Sequence, residues 1–173
     1  MGMDSFPYKF FLLLHLTLVI VGFGSSFVYP VLATKSKSMD WKERYAIDHA
    51  TFGVQKYLTS IPIYAAIVAG IILVVLSDTV WEFKQTWVSV AFVVSLVAIL
   101  IATLLHAPNL KAMDALLEKL ASGTAKPGND GGPPKEVAEL EERTSKAGMF
   151  GGLLHLCFAI LIIDMIWKPG LGF

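Results

Sequence analysis

A single cysteine, Cys157, occurs in the 173 residues. One thiol excludes an intrachain disulfide framework and a cysteine-built zinc site. Inside an apolar run it reads as a small buried hydrophobe. Charge is also scarce. Asp, Glu, Lys and Arg make up 16% of the chain, where a soluble domain carries about 25%. The 14 basic and 14 acidic residues cancel, so net charge does not draw this chain to nucleic acid. There is no phosphate-cradling glycine loop, nucleophile elbow, His-Glu-x-x-His pair or Walker motif, which points away from an enzyme. What is abundant is apolar surface, at 55% of residues with a mean hydropathy of +0.63. That balance excludes a disordered chain and points to a small polytopic membrane protein in one domain spanning residues 1–173.

A hydrocarbon core about 30 Å thick needs about 20 apolar residues in helix. Four segments qualify, at about 10–33, 57–77, 87–106 and 148–167. Unpaired backbone groups are too costly in lipid for any other spanning form built from such long runs. The expected fold is therefore all-α, a four-helix transmembrane bundle with cytoplasmic helical extensions. The first run is too long for the core of a secretory signal, and no clear small-x-small cleavage site follows it. Phe6 occupies the Ser/Thr position that myristoylation would need.

Basic residues set the expected orientation. Eleven of the fourteen fall in the first and third connections, from Lys35 to Lys56 and from Lys111 to Lys146. Only Lys9, Lys84 and Lys168 lie on the other side. Both large connections are then cytoplasmic and both termini lie outside. Tyr8, Trp81, Trp87 and Trp167 fall at the outer boundary, as interfacial aromatics do.

The connections carry their own patterns. Asp40-Trp41-Lys42-Glu43 reads as a helix start, with the helix running into the second span and a kink at Pro62. Tyr29 and Pro30 suit a kink in the first span. Leu110, Met113, Leu116, Leu117 and Leu120 share one helical face. This stripe either lies on the membrane surface or pairs with Val137, Leu140 and Ala147 in a stalk. Residues 122–134, rich in Gly and Pro, read as a flexible tip. Glu142 and Lys146 are spaced as an exposed helix pair. Small residues at Gly22, Gly24, Ser25 and Ser26, at Ala66 and Gly70, and at Gly148, Gly151 and Gly152 suit close helix packing.

Ionisable groups within the membrane need an explanation. His15 and Asp164 lie roughly 8 Å and 5 Å below the outer ends of their helices. At nearly one depth, they are expected to form a polar intramembrane pair. That pair would serve as a structural bond, as a haem or metal ligand with its carboxylate, or as a proton relay. His155 points away from Asp164 and lies roughly 12 Å from His15 in depth. That distance argues against both histidines clamping one upright haem in a single chain. His106 closes the third span, and His49 sits beside the second; both read as solvated interfacial groups. His15, His155 and His106 are the candidate cofactor-binding residues.

The stretch Tyr8-Lys9-Phe10-Phe11-Leu12-Leu13-Leu14-His15-Leu16, followed by Val21-Gly22-Phe23-Gly24, resembles the opening of an uncharacterised bacterial family of predicted integral membrane proteins. That family is a domain of unknown function with four spans. The same histidine-then-glycine opening is similar to the membrane protoporphyrinogen oxidase and copper-resistance membrane protein types. The resemblance implies a multi-pass protein of the bacterial inner membrane and, residue by residue, implicates only His15 in haem or metal association.

Three functional expectations result. The first is a non-catalytic subunit of a larger respiratory, photosynthetic or similar membrane assembly, in contact with lipid and with other subunits or further copies of itself. The second is a haem- or metal-associated protein using His15. The third is a small proton-linked transporter element.

Overall fold

A computed structural model describes residues 2–125 and 132–170. Four long helices account for most of them: Phe6–Ser36, Trp41–Leu76, Thr86–Ala121 and Lys135–Trp167. Each is long and apolar enough to cross a membrane. The all-α four-helix bundle expected from hydropathy is thus the fold, and it fits a multi-pass membrane protein. Large apolar side chains such as Phe6, Leu13, Ile20, Val75, Val93, Leu104 and Ile166 face outward. In water that surface would drive aggregation; against acyl chains it costs nothing.

The helices outrun the spans because their ends continue past the apolar segments. Asp40 starts the second helix: its Oδ1 accepts from the backbone N–H groups of Lys42 at 2.9 Å and Glu43 at 3.0 Å. These are donors that a helix start otherwise leaves unpaired. The helix then runs unbroken to Leu76. Pro62 has no N–H to offer the carbonyl four residues back. Gln55–Ser60, just before it, winds as a π-helical turn, and Ser25 Oγ donates to the freed Leu58 carbonyl at 3.1 Å. The third helix repeats the device, with a π-helical turn at Ile101–His106 ahead of Pro108. In the first helix the break falls at Phe27, between Phe6–Ser26 and Val28–Ser36.

The stripe of Leu110, Met113, Leu116, Leu117 and Leu120 does not lie on a membrane surface. It forms a stalk core with Leu140, flanked by Val137 and Ala147 from the fourth helix. Tyr45 and Phe52 of the second helix pack against it too. Asn109 Nδ2 donates to the Arg143 carbonyl at 2.9 Å, pinning the third helix to the fourth. On the exposed side, Lys146 Nζ sits 2.6 Å from Glu142. The Lys146 hydrogen bond holds the Glu142 carboxyl below its usual range. Residues 126–131 of the expected tip lie outside the described residues.

Packing divides the bundle into two antiparallel pairs. The first helix packs along the second, and the third along the fourth. The main backbone contact between the pairs is in the stalk, where Trp41–Val54 meets Ala107–Ala121. The first pair is close because Gly22 lets it be. A Cβ at Gly22 would lie 2.8 Å from Ile63 Cγ1. Gly22→Leu is therefore expected to lower stability by about 2 kcal/mol through overpacking, read as a drop in the thermal midpoint in detergent. An unchanged midpoint would mean that the pair is not held at this contact.

Candidate functional site

Two helix pairs joined mainly at one end leave space between them. A largely apolar cavity of about 1740 Å³ runs there, with His15, His106 and His155 on its wall. Small-molecule sites occupy about 300–1,000 Å³, so this one is large. At the end opposite the stalk, an aromatic group lines it. Trp81 Nε1 donates to Tyr8 Oη at 3.1 Å, Trp81 and Trp87 meet edge-to-face at 5.1 Å, and Lys168 Nζ lies 4.8 Å from the Trp81 ring centre. The aromatics assigned to one boundary from sequence do gather at one end, apart from the exposed Trp167.

His15 is buried, and its Nδ1 lies 2.8 Å from the Ala66 carbonyl. A carbonyl can only accept, so Nδ1 carries a proton, and in the neutral ring Nε2 is then the atom with the lone pair. Gly70 makes the seat, since a Cβ there would lie 3.3 Å from His15 Cε1. The expected His15–Asp164 pair does not form. Asp164 is 4% exposed, and neither carboxylate oxygen has a hydrogen-bond partner. The two residues share a depth but belong to different helix pairs. His15 is drawn onto the second helix, while the fourth packs along the third. Depth was readable from the sequence; rotation about each helix axis was not.

His155 bridges the pairs. Its Nδ1 donates to the Gly151 carbonyl at 2.8 Å and its Nε2 lies 3.0 Å from Ser26 Oγ. Phe23 stacks on Phe158 beside it, with ring centres 4.8 Å apart. Ser26 is eleven residues past His15, so the two imidazoles stand roughly 16 Å apart in depth. One macrocycle cannot reach both. Gly148, Gly151 and Gly152 do not mediate helix packing. All three line the cavity, and a Cβ on any of them would meet nothing within 4 Å.

His106 corrects a second expectation. It is no solvated interfacial group but 8% exposed, because the third helix continues past it into the stalk. Gln55 Nε2 faces His106 Nε2 at 3.0 Å. With that amide donating, the ring proton sits on Nδ1, which is buried and without a partner. Gln55 opens one π-helical turn and His106 closes the other, so the two proline-induced irregularities meet across the gap. Farther into the stalk, Arg44 Nε lies 3.6 Å from Asp48 Oδ2, both side chains largely buried, and His49 Nδ1 lies 2.9 Å from Asp114. The Gln55–His106 and His49–Asp114 partnerships were not legible in the sequence, since each joins side chains across helices.

Comparison with protein-family models, curated protein sequences and solved structures finds no match to this chain. Its site therefore rests on geometry alone. Among the described residues, no group of three His, Cys, Asp or Glu side chains converges as a bare metal ion requires. The arrangement can enclose a large apolar molecule and offer it isolated polar contacts at three depths.

Proposed function

We propose that this chain is a non-catalytic, multi-pass protein of the bacterial cytoplasmic membrane that holds a large apolar ligand between its two helix pairs. The observation that carries this reading is the cavity of about 1740 Å³ opened by the splayed pairs. Glycines on its wall widen it instead of closing it. The excess of Lys and Arg in the two large connections supports a cytoplasmic stalk with both termini outside. The apolar outer faces support work as a subunit among other membrane chains or further copies of this one. Gentle purification from the native membrane tests both parts. The expected result is an extractable apolar compound in stoichiometric amount and migration well above the monomer. A monomer from which no small molecule can be extracted would sink the proposal.

His15 favours a second reading, a haem-associated protein. Its Nδ1–H is committed to a backbone carbonyl, the arrangement that prepares Nε2 as a metal ligand. A macrocycle brings four nitrogens of its own, so one imidazole suffices where three protein ligands do not converge. In this reading the pure protein shows a Soret band, and His15→Ala removes the band while expression persists. A colourless wild-type protein, with His15→Ala lost from the folded fraction, marks a structural histidine instead.

A further inference from the structure

The cavity is apolar along its length but not at its ends, and the stalk end has a sign. Three lysines line it there: Lys37, Lys56 and Lys111. None has a carboxylate partner among the described residues. The two carboxylates on that part of the wall are engaged already, Asp48 with Arg44 and Asp114 with His49. A chain neutral overall thus turns an excess of cations to the mouth of an apolar cavity. Helix rise brings these groups to similar depths. Tyr29 Oη bonds Thr59 at 2.7 Å, and Lys37 lies roughly 12 Å past Tyr29 towards the stalk. Lys111 lies roughly 8 Å past His106 in the same direction, and His106 is level with Gln55. Both lysines therefore stand near the turn around Thr51.

A second observation agrees in kind. His106 is more than nine-tenths buried and lines the cavity; its Nδ1–H has no acceptor and is itself shielded from the cavity space. A buried orphan donor costs about 1–3 kcal/mol. Cations and an orphan donor have one common requirement, an oxygen-rich anion. From His106 the cavity wall continues past His155 to His15, a path of roughly 24 Å by helix rise, which suits a long hydrocarbon chain.

Building on the cavity reading above, we propose that the ligand is an anionic amphiphile: a carboxylate or phosphate head at the stalk end, held by Lys37 and Lys111 close to His106, with its chain in the apolar cavity.

Equilibrium binding to the purified protein in neutral detergent tests this, with radiolabelled palmitate, hexadecyl phosphate and hexadecanol as probes. The two anions are expected to bind, and the alcohol about tenfold more weakly, given the usual strength of a charge-assisted hydrogen bond. The exposed double variant Lys37→Gln/Lys111→Gln should bring the anions down to the alcohol and leave the alcohol unchanged. Gly152→Leu, whose Cβ would enter open space on the cavity wall, should weaken all three; Gly151→Leu serves as its repeat. Equal binding of anions and alcohol, with Gly152→Leu still weakening both, overturns the head-group assignment and leaves the cavity reading intact. No effect of either glycine variant on any probe overturns both. Displacement of hexadecyl phosphate by inorganic phosphate at matched ionic strength would show a site for the free anion and overturn the amphiphile.

Discussion

Leu117→Ala is expected to cost about 3 kcal/mol, the usual range for a fully buried leucine being about 2–5. Leu117 is 0% exposed and its neighbour across the stalk, Leu140, is 1%. Truncation leaves a void that Met113, Leu116 and Leu120 cannot all collapse into, since each is fixed on the same helix face. The consequence should reach beyond the stalk. The two helix pairs meet chiefly there, so loosening it frees their relative angle and with it the shape of the cavity. Chemical denaturation followed by stalk-directed proteolysis should show the stability loss, and ligand retention should fall with it. If stability drops and retention does not, the cavity is shaped by the Ser26–His155 and Phe23–Phe158 bridges instead.

Asp164→Leu should move stability the other way. A carboxylate that is 4% exposed, with neither oxygen hydrogen-bonded, sits in an apolar segment of a spanning helix. Insertion scales put an aspartate at mid-helix about 2.5–3.5 kcal/mol above neutral, with aliphatic residues slightly favourable. Asp164 lies near a helix end, so about 2 kcal/mol of stabilisation is expected. It would appear as a raised thermal midpoint in detergent and in reconstituted vesicles alike. A lowered midpoint would show that Asp164 has a bonding role at present unseen. Loss of ligand binding with a raised midpoint would place the residue in the function, where an expensive group is kept for its chemistry.

Some of the site was legible before any coordinates. The depths of His15 and His155 follow from counting residues along helices. They already kept the two apart, and the bridge from His155 to Ser26 widens that separation. The fit of Asp40 as a helix cap also rests on local rules. The stripe left two options open, membrane surface or stalk. Only the packing of Leu140 against the stripe, with Tyr45 and Phe52 arriving from the second helix, distinguished them, and no periodicity within 107–121 encodes that.

The pairing of polar groups between helices was the part that sequence could not reach. A hydrophobic face in a soluble helix reveals its azimuth because water and core differ. Here lipid and bundle interior are equally apolar, so the pattern carries almost no rotational information. His15 turned to Ala66 instead of Asp164, and His106 turned to Gln55 instead of water. The glycines of the fourth helix faced a cavity instead of a neighbour. From its sequence alone this protein had its secondary structure, its four apolar segments and the level of each ionisable group determined, because all three follow from length, hydropathy and a fixed rise per residue. The tertiary structure alone decided which helices pack in pairs, what space they leave and which donors face it, because those depend on the angle of each helix about its own axis, and in an apolar solvent only contact sets that angle.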